Sequence, residues 1–319
     1  VAAQAKADAA RERENAAALE PGMAWDAQES AGMKSYNCPS CGAEMICDAT
    51  TAAASCPYCG NPTIVPGQFT GGLRPELVIP FKLDKQAAVT ALKKYYRGKK
   101  FLPKTFCEQN HIEEIQGVYV PFWLCDCQVD GTVTYHATNS RTWKEGDYEI
   151  TETDHYQVDR SGRIGFERIP VDASTKMPDA HMDAIEPYDY NELRAFSTAY
   201  LPGFLADKYD VSQQDSMARI ETRAENSAEM ELRNTVRGYA AVHLQNRSFR
   251  LRKSNMKYTL MPVWMLSTKW NGRNFLFAMN GQTGKLIGDL PVDKGKYFAW
   301  FAGIALPLMA IILGFWFLL

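Results

Sequence analysis

Cys38-Pro39-Ser40-Cys41-Gly42 and Cys56-Pro57-Tyr58-Cys59-Gly60 are two copies of one short pattern, a C-P-x-C-G knuckle, and fourteen residues lie between Cys41 and Cys56. A C-x2-C turn places two thiolates on one metal while neighbouring backbone N–H groups point at the sulfurs. The glycine after each pair suits the left-handed backbone that ends such a turn. The spacing allows a short hairpin and little else, which describes a zinc ribbon over residues 36–65. Two disulfides, or chance spacing, are the alternatives. The expected ligands are Cys38, Cys41, Cys56 and Cys59, holding one structural Zn2+. With four protein thiolates, such an ion has no open position for substrate or activated water.

The other end of the chain carries the second signal. Residues 298–319 form an uncharged, mostly apolar run just over twenty residues long. At 1.5 Å rise per residue this spans roughly the 30 Å hydrocarbon core of a bilayer. Trp300 and Trp316 lie near its ends as interfacial aromatics do, and membrane helices tolerate a proline such as Pro307. A buried core helix is the alternative. Lys294 and Lys296 precede the run and no charge follows it, so the positive-inside rule expects body and ribbon in the cytoplasm of a single-pass inner-membrane protein. Residues 1–20 are Ala-rich and charged, without the apolar core of a secretory signal. Reduced cysteines fit the same compartment.

Between these signals the sequence divides into an Ala-rich charged helix and linker (1–35), the ribbon (36–65), a Pro/Gly linker (66–77) and two lobes (78–186 and 187–295). The expected fold class is α+β: an N-terminal zinc ribbon, an α+β body with two hairpin-containing pseudo-repeats, and a C-terminal transmembrane helix. The pseudo-repeat rests on Pro121-Phe122-Trp123-Leu124 leading to Asp130-Gly131, and Pro262-Val263-Trp264-Met265 leading to Asn271-Gly272. Asp-Gly and Asn-Gly are favoured two-residue hairpin turns, so a hairpin is expected at each. Chance similarity of two amphipathic hairpins is the alternative. Helices are expected over 85–96, over 191–200 after Pro187-Tyr188, and from an N-cap at Ser212 towards Thr235. The last is so heavily charged that it reads either as an ordinary surface helix or as a partner-facing one. Ala2–Glu20 is helical by propensity.

Cys125 and Cys127 share a strand face with Trp123 and Val129 by period two, and read as packed core, with Cys47 and Cys107 also small buried residues. Two basic clusters stand out: Lys93, Lys94, Arg97, Lys99, Lys100 and Lys104, then Arg247, Arg250, Arg252, Lys253 and Lys257. Alternation with Phe249 and Leu251 turns the second set outward. Both read as solvated faces, with contact to anionic lipid headgroups as their special use.

A formal net charge of −2 gives no bulk electrostatic reason for nucleic-acid binding, and Tyr36 to Pro62 contains Glu44 and Asp48 but no Lys or Arg. The sequence holds no phosphate-binding loop, H-E-x-x-H, G-x-S-x-G or G-x-G-x-x-G. Its five histidines, His111, His136, His155, His181 and His243, are scattered and read as surface or structural residues; Asp154-His155 is a weak acid–base pair. No enzymatic activity is expected.

The knuckles, Gly117-Val118-Tyr119-Val120-Pro121-Phe122-Trp123-Leu124, Pro187-Tyr188, and Met279-Asn280-Gly281-Gln282-Thr283-Gly284-Lys285 before a hydrophobic tail together resemble bacterial transcription-factor-IIB-type zinc-ribbon membrane proteins, sometimes labelled primosomal helicase-like. The resemblance covers most of the chain from Cys38 onward and implies the same four ribbon ligands. It also implies association with phage-shock-type or SPFH-domain envelope-stress proteins. The expected function is a membrane-anchored cytoplasmic adaptor or scaffold that binds the lipid bilayer and other membrane or membrane-surface proteins. The alternative is a nucleic-acid-binding ribbon protein serving replication or a helicase.

Overall fold

A computed structural model describes residues 25–51, 55–62, 64–67, 73–109 and 112–318. The helix expected over Ala2–Glu20, and His111, lie outside the described residues. In chain order the elements are α1 (Ala27–Ala31), β1 (Met33–Asn37), β2 (Glu44–Asp48), β3 (Val65–Gly67), β4 (Leu77–Val78), α2 (Lys85–Tyr96), α3 (Lys104–Gln109), β5 (Gln116–Glu145), β6 (Tyr148–Asp172), α4 (Asp179–Ile185), β7 (Arg194–Ala195), β8 (Leu205–Asp207), α5 (Met217–Asn234), β9 (Ala241–Trp270), β10 (Arg273–Asn280), β11 (Leu286–Gly288) and α6 (Lys294–Leu318). The class is mixed α+β.

The strands join one sheet in the order β11-β10-β9-β5-β8-β2-β1-β3, with β6 on β5 and β4 beside β9. At its centre β5 and β9 run antiparallel, Trp123 opposite Tyr258 and Gly117 opposite Trp264. Both strands are 30 residues long, and β6 adds 25. At about 3.3 Å per residue, β5 and β9 are each on the order of 100 Å long. The sheet therefore continues past the body as a three-stranded arm. Beyond Thr138 only β5 and β6 go on, as far as Glu145 opposite Tyr148.

This arm corrects the first expected hairpin. Asp130 and Gly131 lie in mid-strand, Gly131 opposite both Gly162 and Phe249, and the chain turns instead at Gly146 (φ 63°). A Cβ on Gly131 would sit 2.6 Å from the Phe249 ring, so this glycine makes room across the sheet rather than a turn. Asn271-Gly272 does turn, with both residues at positive φ (49° and 74°), as a two-residue connection between β9 and β10 requires.

Helices cover one sheet face. α5 lays Ile220, Ala224 and Ala228 on Trp123, Cys125, Cys127 and Val129; α2 and α3 lay Leu92 and Phe106 on Trp264 and Phe277. α2 keeps the expected bounds because Asp84 accepts from the Ala87 N–H at 2.8 Å and caps it. α5 begins at Met217, five residues after Ser212; the Ser212 hydroxyl instead accepts from the Asp215 N–H in the turn before it. Its Met230 is exposed, and Leu232 is buried in the core. The helix expected at 191–200 is replaced by two 3-10 turns, Tyr190–Glu192 and Thr198–Tyr200, around β7. Asp189 and Ser197 each cap only their own turn, and Leu77 and Val78 draw the intervening residues into the sheet.

α6 holds the candidate membrane span, Lys294–Gly314, and none of it is buried against the body. Among the described residues it is the one helix long and apolar enough to cross a bilayer. The body grips only its first turns: the Asp293 N–H donates to the Phe101 carbonyl (2.8 Å), the Lys296 ammonium donates to the Leu102 carbonyl (2.7 Å), and Lys100 lies 4.2 Å from the Trp300 ring.

Candidate metal centre

Each knuckle closes on its own backbone. The Gly42 N–H donates to the Cys38 carbonyl and the Gly60 N–H to the Cys56 carbonyl, both at 2.9 Å, with the glycines at φ 70° and 67°. The Cys38 and Cys56 N–H groups donate to Ala43 and Asn61, also at 2.9 Å. The two loops are thus near copies, and they face each other. Cys38 Sγ lies 3.6 Å from Cys59 Sγ, and Cys41 Sγ 3.6 Å from Cys56 Sγ. All four sulfurs fall within 4.8 Å of one another.

Sulfurs in a tetrahedron about 2.3 Å from a central ion are about 3.8 Å apart, so the cluster is compatible with a single metal ion. None of these cysteines is in a disulfide. The chemistry of the set agrees with its geometry. Burial raises the Cys38 thiol, yet the Cys41 and Ser40 N–H groups directed at its sulfur, with hydrogen bonds from the Cys59 and Cys41 thiols, outweigh this and bring it down to about 7. Burial pushes Cys41 up to about 11 and Cys56 higher still, while Cys59 and Tyr58 N–H groups act on Cys56 as their counterparts act on Cys38. Bare thiolates would be costly here, and a cation at their centre removes that cost.

The ribbon is stitched into the body rather than hung from it. β2 pairs with β8, Met45 opposite Asp207, and β8 pairs with β5. Cys38 and Cys56 are packed with Val118, Val120, Leu205 and Met265 on the sheet face opposite α5. Lys208 bonds Glu44 (3.0 Å), the Gln116 amide donates to the Ser55 hydroxyl (2.8 Å), and the Gly203 N–H donates to Thr51 (2.9 Å). At the seam Tyr58 is buried near Asp207, whose carboxylate accepts from Ser174 (2.6 Å). Burial pushes the Asp207 carboxyl up to about 7 and the Tyr58 phenol well above its ordinary range.

The remaining sequence candidates are spread over the molecule. Cys125 and Cys127 are buried in the core with Trp123 and Val129, and Cys47 is buried in the ribbon; Cys107 is exposed, contrary to expectation, near the end of the short helix α3. In the second basic cluster only Arg250 and Arg252 turn fully outward. Period two carries Lys253 and Arg247 to the helix side, where Arg247 bonds Glu229 (2.5 Å) and the Lys253 amine is buried, its pKa lowered by desolvation. Much of the α5 charge is also engaged. Arg219 meets buried Asp172 (2.8 Å), and Arg223 meets Glu186 (2.5 Å). His136 and His155 touch, and Asp154 falls on the other face of β6.

No family model matches the sequence, and no solved structure matches it. It is 38% identical to the "Uncharacterized protein YdjG" of Bacillus subtilis (strain 168), in an alignment 320 positions long that covers 85% of this chain and 94% of that protein. With that identity sustained over 85% of this chain and 94% of its relative, the protein belongs to the family of YdjG.

Proposed function

We propose that this protein is a membrane-anchored adaptor, a non-enzymatic scaffold whose zinc-bound ribbon stiffens a sheet that presents a long arm to partner proteins at the membrane. The observation that carries the reading is the closed four-cysteine centre locked into the same sheet as the arm. Four thiolates favour zinc among the common divalent ions, and leave it no position for a substrate. The arm tip extends past its covering helix and exposes Trp143 and Tyr148, and farther back on the arm Tyr156 and Leu244 are also exposed. Such aromatics suit protein contacts.

By resemblance to the zinc-ribbon membrane proteins, the partners are phage-shock-type or SPFH-domain membrane proteins; by the positive-inside rule at Lys294 and Lys296, body and ribbon lie on the cytoplasmic side. The membrane-proximal loop supports an anchored body, since Lys100 lies over the Trp300 ring at the entry of α6, at headgroup level once the helix is inserted. The test is quantitative co-purification of the tagged full chain from detergent-solubilised membranes. A partner in constant ratio to the chain, lost when residues 141–151 are replaced by a short glycine turn, is expected. Equal recovery from the shortened arm, or salt-sensitive sub-micromolar DNA binding that needs the ribbon, would overturn the reading.

A further inference from the structure

Three of the five histidines in the chain, from distant parts of the sequence, meet on one face of the arm. His136 of β5 stands directly opposite His243 of β9. On its other side His136 is opposite Gln157 of β6, and His155 lies two residues along that strand, opposite Thr138. Side chains two apart, or directly opposite, share a sheet face, so the three histidines project from the same face of three adjacent strands, with His136 and His155 in contact. Val133, Tyr135 and Ala137 face the other way, into the core cluster with Leu232 of α5. The histidine face carries no such cover: His136 is half-buried, and His155 and His243 are exposed.

His136 Nε2 lies 3.0 Å from His155 Nδ1. The ring centroids are 5.1 Å apart and the planes differ by 18°. The two nitrogens are within hydrogen-bonding distance, the N–H of one ring against the lone pair of the other. Two imidazole nitrogens bound to one tetrahedral ion at about 2.0–2.1 Å would be about 3.3 Å apart, a small opening from the distance observed. His243 stands one strand spacing away, opposite His136, and its exposed side chain would swing in as the third donor. The nearest carboxylate on this face, Asp159, is held by the Thr134 hydroxyl (2.7 Å) and the Gln157 amide (3.3 Å).

We propose that His136, His155 and His243 form a second metal site, separate from the ribbon, for a borderline divalent transition ion such as Zn2+, Ni2+ or Co2+. The ion replaces the proton shared by His136 and His155, and solvent completes its coordination. Neutral imidazoles select these ions over Mg2+ and Ca2+, which require oxygen donors. The strands fix the three Cα positions in advance, so binding orders side chains only. The site is independent of the adaptor reading.

The test is calorimetric titration of Zn2+ into the full chain in detergent, its ribbon already loaded. One further equivalent is expected, unaffected by millimolar Mg2+. His136→Ala, His155→Ala and His243→Ala should each weaken it at least about tenfold. Retention of the ribbon metal, measured on the same samples, reports that each variant is folded. His155→Gln, which preserves a hydrogen-bonding side chain, should lose the site as His155→Ala does. Absence of a saturable second equivalent, or its persistence in the His136→Ala/His155→Ala protein, would overturn the proposal. An undiminished affinity in His243→Ala would overturn the three-ligand assignment.

Discussion

Replacing Asp207 by Asn should stabilise the protein in a strongly pH-dependent way. Asp207 is 1% exposed, on the strand that joins ribbon to body, and burial lifts its carboxyl from an ordinary 3.8 to about 7. The folded state thus holds the proton more tightly than the unfolded chain. The stability this group contributes is full below about pH 4 and is lost as pH rises through 7. At about 1.4 kcal/mol for each tenfold change in proton affinity, the whole effect is on the order of 4 kcal/mol, with about 3 kcal/mol of it between pH 5 and pH 8. Asn keeps an oxygen to accept from Ser174 and carries no charge at any pH. Denaturant unfolding of the full chain in detergent, followed by tryptophan fluorescence at both pH values and fixed free zinc, isolates the effect of this carboxyl, because metal-dependent contributions common to the two proteins cancel. The gain of Asp207→Asn over the parent should be about 3 kcal/mol larger at pH 8 than at pH 5. A gain equal at both pH values, or larger at pH 5, would refute the argument that an ionised carboxylate is poorly solvated at this seam.

The double substitution Cys38→Ser/Cys56→Ser should abolish the ribbon metal and remove on the order of 10 kcal/mol of metal-linked folding energy, read by metal analysis and by loss of cooperative unfolding; full metal retention would contradict the ligand assignment. Gly60→Ala should cost about 1–2 kcal/mol, because residue 60 sits at φ 67° and a Cβ there meets the Ser267 carbonyl oxygen at 3.2 Å. Arg219→Ala should destabilise by about 3 kcal/mol at pH 8 by leaving buried Asp172 unpaired. Burial already raises Asp172 to about 6 against the pull of Arg219, so the cost should shrink at pH 5, where the carboxyl takes up its proton.

The parts of this architecture that could be read from sequence are those coded by neighbours in the chain. The knuckles are local, and the four sulfurs converge as their spacing requires. Helix α2 carries its own cap and apolar stripe. The Asn271-Gly272 turn is coded by the dipeptide itself, and both residues adopt the positive φ it favours. Asp130-Gly131 looked the same in sequence and lies in mid-strand, because its glycine answers to Phe249, more than a hundred residues away. The joining of ribbon to body through Met45 and Asp207, the inward turn of Lys253 and the meeting of His136, His155 and His243 depend on strand register. No local pattern carries register between strands so far apart in the chain.

The most direct test of the adaptor account is photocrosslinking in native membranes from a photoreactive residue at position 148, where Tyr148 is 78% exposed at the arm tip. The account predicts a discrete adduct with a membrane or membrane-surface protein, identified by mass spectrometry, and its loss when the probe is moved to the buried position of Val133. Adducts confined to nucleic acid, or the same protein adduct from both positions, would contradict it.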